Sequence, residues 1–291
     1  MFGARPLAVA RPGETTFHTV RFGGRQRSFL LHLPPRPRRT TPLLLAFHGY
    51  QANANVMEET TGLDAVADRH GWAVAYLNGT GGVHYFDLAW NAITCCGAAP
   101  DEAVDDVGFA RAVADSLAAR GLTDRRRVYA TGFSNGGMLA LRLACQPEAF
   151  VAGVADVAGA MPDTVCQGRT AVPVLLIRGA NDGELRADHR DHQRRNRNAY
   201  AVSFAGALRY WSRRNGCATE PRRDSSATLV EIFAIECPAG RDVRELVVAG
   251  QAHAWPGGRR PFILAPRPAP DVDASERILD FFEREARAAA R

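Results

Sequence analysis

Lysine is absent from this 291-residue chain, so all 36 of its basic residues are arginine. The arginines are dispersed among 31 acidic residues and no RNA- or DNA-binding motif accompanies them. The net charge of +5 therefore lacks the clustered footprint of a nucleic-acid binder, and no nucleic-acid partner is expected. Also missing is any apolar run of about eighteen residues, the length a membrane-spanning helix needs. The nearest candidate, 150–161, is interrupted by Asp156, so no membrane span is expected. The opening stretch "MFGARPLAVARPGE" has no sustained apolar segment and does not read as a signal peptide. The six cysteines, Cys95, Cys96, Cys145, Cys166, Cys217 and Cys237, show no paired CxxC spacing, so no metal site is expected. Their even number suggests disulfides and an extracellular location, against a cytoplasmic alternative favoured by the missing leader. A mature-chain numbering or a misplaced start codon would reconcile the two.

What remains is an ordinary globular composition, 46% hydrophobic and 23% charged, without internal repeats or a low-complexity linker. One catalytic domain over 25–291 is expected, as a monomer, with 1–24 a poorly ordered extension. Within it, strand-like runs alternate with helical patterns, the order that builds a mostly parallel central sheet with helices on both faces. The strand candidates are 25–33, 43–47, 73–77, 128–130, 150–157, 173–177, 229–235 and 244–248. Helices are expected over 57–70, along the stripe Val107, Ala110, Ala114 and Leu117, after Gly137, and at the C-terminus, where Asp271 or Asp273 is the N-cap.

One serine stands between glycines in "RVYATGFSNGGMLALRLAC". A strand before it and an apolar helix after it make Gly132-Phe133-Ser134-Asn135-Gly136 a nucleophile elbow, where a sharp turn lifts the hydroxyl above the sheet. A serine needs an imidazole to take its proton and an acid to orient that imidazole, in the chain order Ser, acid, His. His253 lies beyond Ser134 in a glycine-bounded loop that follows a strand. His189 and His192 sit in an arginine-rich polar stretch and read as solvated. For the acid, Asp182 follows the strand "VPVLLIRG", with Asp156 and Asp163 as rivals. The oxyanion of the tetrahedral intermediate requires two backbone N–H groups. Asn135 supplies one, and Tyr50 or Gln51, in the glycine-containing loop after "LLLAF", supplies the other. Trp90 and Trp255 are candidates for stacking on a substrate's aromatic acyl group or sugar.

Eight stretches, "LLLAFHGYQANA", "WNAITCCG", "VDDVGFARAVADSL", "RVYATGFSNGGMLALRLAC", "VPVLLIRGANDGE", "YWSRRNGC", "GQAHAWPGG" and "DASERILDFF", together resemble the secreted serine esterases that include polyhydroxybutyrate depolymerase-like enzymes and bacterial feruloyl and acetylxylan esterases. The resemblance runs from about residue 40 to the C-terminus. It implies an α/β-hydrolase fold, no cofactor, and Ser134, Asp182 and His253 at the triad positions. It also implies a disulfide between Cys217 and Cys237, leaving Cys95, Cys96, Cys145 and Cys166 for two further bridges of undecided pairing. The implied substrates are esters such as feruloylated or acetylated polysaccharide or hydroxyalkanoate oligomers. Acyl transfer to a carbohydrate hydroxyl and a catalytically dead carbohydrate-binding homologue are the alternatives. Two departures stand out: Ala254 replaces the usual Thr in the His-Thr-Trp-Pro pattern, and an arginine- and histidine-dense stretch, 186–197, follows the acid. That stretch is expected to be a mobile, positively charged loop.

Overall fold

In the computed structural model, which describes residues 10–81, 87–93, 95–162, 166, 168, 170–183, 201–202, 204–218 and 220–290, the apolar runs form the middle of a ten-stranded sheet. β1 (Thr15–Phe22) and β2 (Arg25–His32) form an antiparallel hairpin at one side. Next come β3 (Leu43–Phe47), β4 (Ala73–Leu77), β5 (Val128–Phe133) and β6 (Gly153–Val157). A short β7 (Met161–Pro162) leaves the main sheet to pair with β9 (Ala201–Val202). The main sheet continues with β8 (Val174–Gly179) and ends with β12 (Val243–Val248), β11 (Leu229–Phe233) and β10 (Arg222–Ser225).

The strand order is β1-β2-β4-β3-β5-β6-β8-β12-β11-β10. From β4 to β12 every neighbouring pair is parallel, and both flanks are antiparallel. Parallel strands need helical crossovers, so both faces are covered and β3, β4, β6 and β8 are buried along their whole length. α3 (Asp106–Ala119), α4 (Asn135–Ala144) and α5 (Phe204–Asn215) pack on one face through Phe109, Leu117, Leu139 and Trp211. α1 (Ala54–Thr61), α2 (Leu63–His70) and α6 (Ala274–Ala289) pack on the other through Met57, Leu63, Ile278 and Phe282. This is the α/β-hydrolase arrangement, and it places the C-terminal ends of the parallel strands along one edge.

Among the departures from the expected boundaries, two have a clear physical cause. β1 lies inside 1–24, so the sheet begins before Arg25; its alternating, half-polar pattern gave no apolar run to read. The helix expected over 57–70 is two helices, because Gly62 adopts the left-handed conformation (φ 63°) and caps α1 with its N–H on Glu58 O. At the C-terminus Asp273 is the N-cap of α6, its side chain accepting the Glu276 N–H. Disulfides join Cys217 to Cys237, Cys145 to Cys166, and the adjacent Cys95 and Cys96.

Candidate active site

β5 ends at Phe133, α4 begins at Asn135, and Ser134 between them has φ 53° and ψ −119°. A serine held there is strained by about 1–3 kcal/mol, so the surroundings must impose the turn. Ser134 N–H donates to Val157 O at 2.8 Å, and Ser134 O accepts from Met138 N–H at 3.0 Å. The flanking glycines are steric necessities. A Cβ at Gly132 would strike the Gly136 backbone, one at Gly136 would strike the carbonyls of Phe47 and His48, and one at Gly137 would strike the Asp156 carboxylate.

Asp182 and His253 are brought together by the turns after β8 and β12. Ala180 N–H donates to Val248 O and Asn181 N–H to Gln251 O, at 2.9 and 2.8 Å. Gly179 lies so close to the Gln251 carbonyl that no side chain would fit. This clamp sets Asp182, fully buried, 2.8 Å from His253 Nδ1 through its Oδ2. A carboxylate can only accept, so Nδ1 carries the hydrogen of this bond and Nε2 holds the lone pair of the neutral ring. The Phe133 ring packs 4.9 Å from the imidazole, tying the histidine to the residue before Ser134.

The rival Asp156 has other partners. It is buried on β6, 2.6 Å from Arg178 of β8, and accepts the Gly159 N–H at 2.9 Å. Burial pushes its carboxyl up to about 6, against the pull of the Arg178 guanidinium. Glu245 of β12 is also raised by burial, with Arg178 again opposing. Arg178 was not among the expected site residues, although a single charge inside "VLLIRG" was a signal. Asp163, His189, His192 and the stretch 186–197 lie outside the described residues.

In the loop after β3 the donor choice narrows. Gln51 N–H is spent on Leu88 O at 3.0 Å, which removes Gln51 from the expected oxyanion donors and leaves the Tyr50 and Asn135 N–H groups. The buried Asn135 side chain accepts from Trp90 N–H at 2.8 Å and donates to Cys95 O at 2.8 Å, fastening the segment around the Cys95–Cys96 bridge to the elbow. His48 donates from Nδ1 to Gly49 O and accepts at Nε2 from Gly79 N–H, at 2.7 and 3.0 Å. Burial holds its pKa down to about 4, so it is a neutral structural ring.

Trp90 and Trp255 are not stacking platforms. Trp90 is 0% exposed, packs against Phe47 and His48, and donates Nε1–H to His48 O at 2.9 Å. Trp255 is buried and donates to Ser275 Oγ at 3.0 Å. In both, the indole N–H found a partner only inside the fold. Tyr50, by contrast, is partly exposed, and its side chain lies against Gly97, next to the Cys95–Cys96 bridge.

Away from these groups, His70, Glu276 and Asp280 are close enough to offer three metal ligands. His70 already bonds Glu276 and Glu283 through its two nitrogens; burial opposes its charge, yet these bonds carry its pKa upward. Both ring nitrogens are thus engaged with carboxylates, and neither is left to ligate a metal. Among the described residues, no helix is long and apolar enough to cross a membrane.

Residues 27–185 match the family described as Esterase PHB depolymerase. A relative from Nocardia uniformis subsp. tsuyamanensis named "Putative esterase NocK" is 36% identical over 299 residues, with 94% of this chain and 81% of the relative covered. Feruloyl esterase B of Piromyces equi is 27% identical over 229 residues, which cover 76% of this chain and 41% of that protein. Among solved structures, the acetyl xylan esterase from Aspergillus awamori superposes with a TM-score of 0.61 at 11% identity, covering 92% of this chain and 99% of that one. At that identity the likeness is one of fold.

Proposed function

The chain belongs to the Esterase PHB depolymerase family and is a carboxylic ester hydrolase, and from that premise we propose that it works through Ser134, His253 and Asp182 by way of a covalent acyl-enzyme. The observation that carries the reading is the 2.8 Å bond from the His253 ring to a buried carboxylate, at the same sheet edge as a strained serine between β5 and α4. His253 Nε2 takes the Ser134 Oγ proton as Oγ attacks the ester carbonyl. The oxyanion that forms is held by the N–H groups of Tyr50 and Asn135. His253 returns the proton to the leaving alcohol, and the acyl group stays on Ser134. Water then repeats the sequence: His253 deprotonates it, the acid is released, and Ser134 regains its proton. Asp182 keeps the ring in the required tautomer throughout.

The substrates we assign are feruloyl or acetyl esters of polysaccharide, or hydroxyalkanoate-type esters, with no cofactor. Three disulfides support an extracellular location. A fluorophosphonate probe and nitrophenyl acetate test the chemistry. The wild type should be labelled and active, and Ser134→Ala should be unlabelled with turnover lower by about 10⁴-fold or more. Near-normal turnover in that variant would overturn the triad. Methyl ferulate, acetylated xylooligosaccharide and hydroxybutyrate oligomers, each with and without a free sugar acceptor, then separate the substrate classes and distinguish hydrolysis from acyl transfer.

A further inference from the structure

Three consecutive large apolar side chains stand in solvent on the loop that follows His253: Phe262, Ile263 and Leu264 are 63%, 82% and 86% exposed. Single exposed apolar residues are unremarkable, but a contiguous tripeptide at the turn of a loop is not. The loop that carries it is well built. Its base is closed by Gly257 N–H on Ala269 O at 2.8 Å, and Ala269 N–H is held by the Gln251 side chain at 2.6 Å. Arg259 N–H anchors the outgoing limb to Thr60 O at 2.8 Å. At the tip, Ala265 N–H closes a turn on Phe262 O at 3.0 Å and the Ala265 side chain is buried beneath it. The turn therefore faces the three large side chains outward instead of folding them back.

Along the loop itself the charges are of one sign. Between His253 and Asp271 the chain has no acidic residue, while Arg259, Arg260 and Arg267 flank the tripeptide and are exposed. We propose that this loop inserts into the surface of an anionic lipid bilayer, with Phe262, Ile263 and Leu264 below the headgroups and the three arginines at headgroup level. An exposed apolar turn suits a fluid medium that closes around it, and exposed arginines on either side suit a layer of anionic headgroups. Because the base of the loop is tied to Gln251, beside His253, docking would hold the candidate active site against the same interface.

Co-sedimentation with vesicles tests this, using the whole chain and vesicles of phosphatidylcholine with about one third phosphatidylglycerol. The wild type should sediment with the mixed vesicles and much less with phosphatidylcholine alone. The triple variant Phe262→Ser, Ile263→Ser, Leu264→Ser should partition about tenfold more weakly or worse, while its circular dichroism and turnover of soluble nitrophenyl acetate match the wild type. The variant Arg259→Gln, Arg260→Gln, Arg267→Gln should bind the mixed vesicles no better than neutral ones. Equal sedimentation of wild type and triple-serine variant, or no wild-type sedimentation, would overturn the proposal. So would a wild type that is dimeric without lipid and monomeric as the serine variant, because the tip would then be covered by a second copy.

Discussion

Asp156 and His48, two buried titratable side chains on either side of the elbow, respond to acid in opposite senses. Burial holds His48 at about 4, below its unfolded value of 6.5, so the unfolded chain takes up the proton first as pH falls. Its contribution is present above about pH 6.5 and is lost toward pH 4, by about 3 kcal/mol. Burial holds Asp156 at about 6, above its unfolded value of 3.8, so here the folded chain binds the proton more tightly. That contribution is present below about pH 4 and is lost as pH rises to 6, by about 3 kcal/mol as well. The two nearly cancel between pH 4 and 6. Asp156→Asn removes one of them and disturbs the contacts to Arg178 and the Gly159 N–H at every pH. Urea denaturation at pH 4, 5, 6 and 7 should therefore show an overall less stable variant whose deficit shrinks by about 3 kcal/mol as pH rises. A deficit that stays constant would mean that Asp156 titrates alike in the folded and unfolded chain. Asp182→Asn is the matching functional test: His253 loses the acceptor that fixes its tautomer, and turnover of nitrophenyl acetate should drop by about 10⁴-fold with little change in stability. A loss below about tenfold would remove Asp182 from its proposed role.

The contact that fastens the elbow to its neighbour strand is the approach of α4 to the end of β3. Gly136 sits against the carbonyls of Phe47 and His48, backbone that cannot rotate away, so Gly136→Ala must push the start of α4 off β3. That shift would separate the Asn135 N–H from the Tyr50 N–H. The expected result is a loss of about 10²-fold or more in kcat/KM with a destabilisation of about 2 kcal/mol, read from ester turnover and urea denaturation. Activity close to wild type would show that the two donors are not a coupled pair. Between α5 and the turn after β11, the Cys217–Cys237 bridge spans a sequence separation of 20. Replacing both cysteines by serine should lower stability by about 3 kcal/mol in the chain-entropy model while leaving the Ser134 environment intact.

Legibility at this scale followed burial. The strands covered on both faces were apolar runs and could be read, whereas β1 alternates and β10 (RRDS) is exposed throughout, so neither carried a hydrophobic signature. Ser134 and its glycines were legible because the turn tolerates nothing else. The fate of Trp90 was not, since composition cannot say whether an indole N–H will meet a substrate or the carbonyl of His48. Nor could spacing reveal that Gln51 N–H would be taken by Leu88, because that bond depends on how two distant loops cross.

Across the whole molecule, the sheet is gripped by two apolar layers, and the later of them in sequence is closed by the last helix of the chain. α6 reaches back beneath the nucleophile strand, where the Phe282 ring lies 4.8 Å from Tyr129 of β5 and stacks at 6.2 Å on Trp72, just before β4. A side chain at Gly153 of β6 would come within 3.1 Å of the same ring. One buried phenyl group thus braces the start of three parallel strands, at the end of the sheet opposite Ser134. Removing it should therefore act on the fold and not on the chemistry. Phe282→Ala leaves a cavity between α6 and the sheet that the strands, fixed by their hydrogen bonds, cannot close, and it should cost about 3–5 kcal/mol in urea denaturation. At temperatures well below the unfolding transition, KM and kcat for nitrophenyl acetate should stay near wild type. Stability close to wild type would mean that α6 repacks to fill the space. A raised KM with stability retained would mean that this layer transmits strain along β5 to the elbow, contrary to the separation of the two ends of the sheet.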